Sequence, residues 1–157
     1  MTMNDCDVRL KVMRDKAMRL CSRKEQSCSE MRKKLLSWGC TPDNAQRIVG
    51  ELVAQRFLDD RRYAAACASD KFRFGKWGRI KIGLMLRMQG IEEAVVRETL
   101  ARIGEEEYLR SLKEELHKKR KSIKTASSAE LRAKLFRFAA SRGFEPDVIY
   151  QAMENDE

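Results

Sequence analysis

Apolar residues recur at intervals of three and four along almost the whole chain, the period of a helix buried on one side. No segment alternates residue by residue as a half-buried strand does. The pattern predicts nine helices, over residues 6–22, 28–38, 42–55, 60–73, 78–89, 92–103, 105–122, 128–142 and 146–154. The punctuation is itself periodic. Helix-ending glycines stand at Gly39, Gly90 and Gly143, 51 and 53 residues apart, and each leads into a restart: GCTPDNAQRIV, GIEEAVVRETL and GFEPDVIYQAM. Pro42 and Pro146 lie three residues past their glycines, at a first helical position that needs no donor and suits a preset φ. Six and ten residues past each glycine come apolar pairs: Ala45 and Val49, Val96 and Leu100, Ile149 and Met153. Each pair occupies one helix face, used three times.

The start signals repeat less completely. Ser27-Cys28-Ser29-Glu30 and Ser127-Ser128-Ala129-Glu130 read as capping boxes, whereas the middle unit has Gly78 near that place. The reading is an all-α fold of three tandem three-helix repeats, over residues 1–60, 61–104 and 105–157. A unit of some fifty residues buries its apolar face poorly alone. Stacked units cover those faces, and the expected molecule is elongated and curved.

Composition adds a field. The 157 residues carry a formal charge of +9, with 36% charged and 43% hydrophobic residues. Residues 1–61 hold 13 basic and 9 acidic side chains, residues 62–104 hold 9 and 4, and residues 105–157 hold 11 of each. The positive excess is densest in the middle, as expected for a surface that meets a polyanion. No apolar run approaches the roughly 18 residues of a membrane span, and MTMNDCDVRLK lacks the apolar stretch of a secretory signal. A cytoplasmic protein is expected. Its five cysteines show no CxxC and its one histidine, His117, is remote from them, so no metal or cofactor is expected. The cysteines read mostly as small core residues. Asp59 and Asp60 read as a helix N-cap pair, and Trp38 as core.

The stretch Asp70–Lys81, DKFRFGKWGRIK, alternates aromatics with cations. Gly75 and Gly78 read as turn residues and Phe72 as core. Phe74 and Trp77 read either as rings that stack on bases or as staples that hold the turn to the core. On a wheel of about 100° per residue, Arg79, Gly83 and Arg87 fall within about 80° of one another. Ile80, Leu84, Met88, Met85, Ile82 and Leu86 fill the rest. The expectation is a helix buried on several sides, with Arg79-Gly83-Arg87 as one exposed basic line and Lys81 snorkelling. Gly83 reads as a close approach by a neighbouring helix. Lys71, Arg73, Lys76, Arg79, Lys81 and Arg87 are the candidate contact residues for a partner or for DNA. The runs Glu105–Glu107 and Lys118–Lys121 open and close one helix, where each sign favours its dipole.

Four strings resemble the RecX family, regulators of the bacterial recombinase RecA. They are SRKEQSCSEMRKKLLSWG (Ser22–Gly39), FLDDRRYA (Phe57–Ala64), GKWGRIKIGLMLRMQGI (Gly75–Ile91) and RGFEPDVI (Arg142–Ile149). They run in the family's order over nearly the whole chain. Met31 stands where the family often has Leu, Trp77 is large for its turn, and residues 113–127 match nothing closely. The resemblance implies a monomeric, non-enzymatic protein. It implies binding along the RecA filament on single-stranded DNA, lowered ATP hydrolysis and strand exchange, and promoted disassembly. The rival readings are a helical nucleic-acid-binding protein without a recombinase partner and an adaptor for an acidic protein. The helix after Gly78 is mostly apolar, which counts against a base-reading recognition helix.

Overall fold

The structure is a computed structural model that describes residues 4–154. Among the described residues it contains nine α-helices and no strand. They are α1 (Asp5–Arg23), α2 (Cys28–Ser37), α3 (Pro42–Ala54), α4 (Asp60–Arg73), α5 (Arg79–Met88), α6 (Glu93–Ala101), α7 (Glu105–Ser122), α8 (Ser128–Ser141) and α9 (Pro146–Glu154). The three periodic glycines each take a left-handed backbone, with φ of 95° at Gly39, 74° at Gly90 and 92° at Gly143. Gly39 and Gly143 close their helices by the same means. The amides of Cys40 and Phe144 reach back to the carbonyls of Leu35 and Ala139, at 3.0 and 3.2 Å, a fold-back that only a left-handed residue permits. Of the repeated apolar pairs, Ala45, Val49, Val96, Ile149 and Met153 are buried, and Leu100 is half-buried.

The chain divides into two compact units, the division falling inside α4. The first holds the residues up to Ala66 together with Gln89–Ile91. Its core is built from Ala17, Met31, Leu35, Ile48, Leu52 and Leu58. The capping box at α2 forms as the sequence requires, with Ser27 Oγ accepting from the Glu30 amide at 3.0 Å. Asp59 and Asp60 divide their work. Asp59 accepts from the amides of Arg61 and Arg62 and so caps α4. Asp60 instead accepts from the Cys28 amide at 2.9 Å and caps α2. Arg62 pairs with Glu25 at 2.5 Å and donates to the carbonyls of Arg56 and Phe57, where α3 has just ended. Trp38 is half-buried, its ring under the Lys16 ammonium at 4.1 Å. The cysteines depart from expectation. Only Cys40 is buried; Cys21, Cys28 and Cys67 are half-buried and Cys6 is exposed, because several sit at helix ends or on outer faces. Burial, then the Asp60 carboxylate beside it, push the Cys28 thiol up to about 12, so it stays protonated.

The second unit holds Cys67–Met88 and the chain from Glu92 onward. Tyr108 is at its centre, fully buried between Phe72 and Phe144 with ring centroids 6.0 and 5.1 Å away. The start of α5 is assembled here. Gly78 carries no side chain to cap it. The Gly78 amide donates to the Arg142 carbonyl at 2.7 Å, and the Ile80 amide to the Gly143 carbonyl at 3.0 Å. Between them the Arg79 amide donates to Tyr108 Oη at 2.9 Å. Tyr108 in turn donates to Glu145 Oε1. Burial, then that hydrogen bond, hold the phenol well above its ordinary range. The approach is so close that a Cβ on Gly78 would overlap the backbone of Gly143 and Phe144.

Two stability predictions follow from this geometry. Gly78→Ala forces backbone apart and should cost about 1–3 kcal/mol or more, while Gly50→Ala, with open space around its Cβ position, should gain up to about 1 kcal/mol. Tyr108→Phe leaves the Arg79 amide without its acceptor and Glu145 Oε1 without its donor, and should cost about 1–3 kcal/mol. Thermal unfolding followed by circular dichroism reads all three, and the expected order of melting temperature is Gly50→Ala, parent, then the other two.

Candidate functional site

The basic-aromatic stretch forms the end of α4, a tight turn and the start of α5. Gly75 makes the turn possible, since a Cβ there would stand 2.7 Å from the Lys71 carbonyl. Lys76 takes a left-handed backbone, φ 57°, an uncommon state for a residue with a side chain. The Trp77 amide closes the turn on the Lys71 carbonyl at 3.0 Å, and the Arg142 guanidinium donates to the Gly75 carbonyl at 3.4 Å.

Phe72 is buried, as expected. The two open rings separate. Phe74 is 82% exposed. Trp77 is half-buried, with the ammonium groups of Lys71 and Lys81 over its ring at 4.8 and 4.3 Å. Such contacts hold both cations in place without neutralising them.

The wheel expectation for α5 is reversed. Arg79 is not on an exposed line; its side chain is 15% exposed. Its guanidinium stacks on Tyr108 at 3.9 Å and donates to the carbonyls of Leu100 and Ile103 at 3.4 and 2.9 Å. It also pairs with Glu105 at 2.9 Å and Glu145 at 3.5 Å. Arg79 thus closes the C-terminus of α6, and its donors are spent within the chain. Gly83 is buried with Leu100 against it, 3.3 Å from where a Cβ would be, so the close approach is to a helix of the same chain. Arg87 is exposed but neutralised, its guanidinium fork on the Glu93 carboxylate at 2.8 and 2.9 Å. That pair holds Glu93 below the usual carboxylate range. The face turned outward is instead the line Ile80, Leu84 and Met88, exposed by 47, 55 and 81%. The helix is apolar nearly all round, and the glycine side is the one that packs.

The cations left without an ion pair at this turn, among the described residues, are Lys71, Arg73, Lys76 and Lys81. Arg73 and Lys76 face a pocket of about 200 Å³ whose other wall is α7, with Glu107, Arg110, Ser111 and Glu114. The sequence reads Glu107 only as part of the acidic start of its helix and does not single out Arg110, Ser111 or Glu114, because nothing in spacing brings residue 110 to residue 73. Among the described residues no group of three or more His, Cys, Asp or Glu could hold a metal ion. No helix among the described residues is long and apolar enough to cross a membrane.

Comparison with known proteins finds three successive matches along the chain. Family models match in order: RecX, first three-helix domain, at residues 14–52; second three-helix domain at 59–100; third three-helix domain at 105–153. A Regulatory protein RecX of Chromobacterium violaceum is 32% identical over 143 residues, covering 91% of this chain and 90% of its own. That of Chromohalobacter salexigens is 33% identical over 140 residues, covering 89% and 90%. The crystal structure of RecX from Lactobacillus salivarius shares the fold, with a TM-score of 0.84 at 19% identity over 94% of this chain and 96% of that one. A second crystal structure, of a regulatory protein RecX, gives 0.85 at 17% identity over 98% and 79%. With all three helical domains matched in order and curated relatives above 30% identity along nine-tenths of its length, the chain belongs to the RecX family of regulatory proteins.

Proposed function

We propose that this chain regulates a RecA-type recombinase without catalysing a reaction of its own. It binds the recombinase filament on single-stranded DNA, lowers its ATP hydrolysis and strand exchange, and does so as a cytoplasmic monomer without metal or cofactor. The observation that carries this reading is membership of the regulatory family along the whole matched length. In this reading residues 1–60, 61–104 and 105–157 are the three repeats, and the second presents the contact surface.

The contact residues are Lys71, Arg73, Lys76, Lys81 and Arg87; Arg79 serves the fold. The outward line Ile80, Leu84 and Met88 lies between Lys81 and Arg87 on the α5 surface, an apolar seam with cations along its edges. A protein partner with apolar residues between carboxylates complements it, and in the filament that partner is the recombinase. DNA then meets the remaining unpaired cations. Arg87 exchanges its Glu93 carboxylate for one on the partner.

DNA-dependent ATP hydrolysis by a RecA-type recombinase tests the reading directly. The expected result is a falling rate as this protein is added up to equimolar. Leu84→Asp should leave the unfolding free energy within about 0.5 kcal/mol of the parent, because the side chain is largely exposed. It should weaken inhibition by about tenfold, the factor that burial of one large apolar side chain supplies. An unchanged ATPase rate and unchanged filaments at equimolar protein would sink the reading.

The corrected role of Arg79 gives a contrasting expectation. Arg79→Ala removes hydrogen bonds from a charged group to the end of α6 and should cost about 1.5–3 kcal/mol. It should therefore lower the melting temperature, whereas Lys71→Ala/Lys81→Ala should spare the fold and weaken filament binding. Equal melting temperatures for Arg79→Ala and the parent would return Arg79 to the contact surface.

A further inference from the structure

The pocket between the α4–α5 turn and α7 is built around a polar group that has no partner. Ser111 is 9% exposed, lines the pocket, and its Oγ makes no hydrogen bond. Ser in a helix ordinarily bonds a carbonyl one turn back, and a buried hydroxyl left unmade is costly. Three cations line the same pocket: Arg73 at the end of α4, Lys76 in the turn and Arg110 on α7. None of the three is in an ion pair among the described residues. Lys76 is held there by its left-handed backbone.

We propose that this pocket is a binding site for a phosphate-class oxyanion. Its lining supplies two guanidinium forks, one ammonium and one hydroxyl from two helices and a turn, a donor set that suits a phosphate-class oxyanion. Its volume of about 200 Å³ takes one phosphate group and leaves little room for a base or sugar. Glu107 and Glu114 also line the pocket and oppose an anion. Both are exposed, so each can turn to water when the anion enters, and the three cations leave one net positive charge. The ligand's source is either a free phosphate or the phosphodiester of single-stranded nucleic acid. With a phosphodiester as ligand the site deepens the filament reading, in which Arg73 and Lys76 already meet DNA; with a free phosphate it does not rest on that reading.

The test uses the full chain without any recombinase, so its failure removes Arg73 and Lys76 as DNA contacts and leaves inhibition of the recombinase to be judged by the ATPase assay alone. Inorganic phosphate is titrated against the ¹⁵N-labelled protein by NMR, and a fluorescent oligothymidine by anisotropy at several salt concentrations. Arg73→Ala/Arg110→Ala, with an unchanged melting temperature, should weaken binding by about tenfold or more. Ser111→Ala should weaken it less. Glu107→Gln/Glu114→Gln, which leaves every donor in place, should tighten it. Saturable phosphate shifts at Arg73, Lys76 and Arg110 that these variants abolish support the site with a free phosphate as ligand. Oligothymidine binding that loses about 0.7 in salt slope per contact in the double variant supports it with a phosphodiester as ligand. If neither probe senses the substitutions, or only a glutamate-rich peptide does, the oxyanion site is overturned.

Discussion

The second unit depends on a helix start that its own sequence leaves open. The first turn of any helix has amides without intrahelical acceptors, and α2 and α8 meet this locally with Ser27 and Ser127. At α5 the same position is Gly78, and the acceptors come from the Arg142 and Gly143 carbonyls and from Tyr108 Oη. A buried amide without an acceptor costs about 1–3 kcal/mol, so two bonds to the α8–α9 turn and one to Tyr108 of α7 make both part of the structure of α5. The exchange runs both ways. Arg142 and Gly143 are at the C-terminus of α8, where carbonyls need donors. One set of unmade bonds satisfies the other, and two glycines let the backbones meet.

That junction sorts the cations. Two arginines do similar work: Arg62 closes the carbonyls after α3, and Arg79 those at the end of α6. Each takes a carboxylate as well, Glu25 for Arg62 and Glu105 with Glu145 for Arg79. A guanidinium fork suits a helix end because it can reach two carbonyls and a carboxylate together. The lysines of the turn have a different fate. Lys71 and Lys81 rest on Trp77, which orders them and leaves their charge available. The aromatic in this basic stretch is therefore a scaffold for cations, and Phe74 is the ring turned to water.

The seating of α5 also decides what the surface presents. With Gly83 against Leu100 and Arg79 turned inward, Ile80, Leu84 and Met88 have only solvent to face. A contact surface of apolar side chains edged by Lys81 and Arg87 is the consequence of packing at the opposite side of the same helix. The proposed oxyanion pocket is likewise a product of assembly, since α4 and the turn contribute two of its cations and α7 contributes the third with the hydroxyl.

The sequence by itself determined the helices, their order, the repeat and the family. Those rest on local rules: a 3.6-residue apolar period, serines and prolines at starts, and glycines with left-handed φ at ends. It also determined that Phe72 is core and that Gly83 marks a close approach. Tertiary structure alone decided which side of α5 is buried. A helix apolar around most of its circumference carries no moment strong enough to orient it, so the orientation was left to the one position without a side chain. For the same reason the spacing of Arg79 and Arg87 was legible and their roles were not. Arg79 finds its acceptors 21 to 66 residues away, at Leu100, Ile103, Glu105 and Glu145, and Arg87 finds Glu93 six residues on. Whether a cation is spent or free is set by what the fold brings beside it, which no local pattern records.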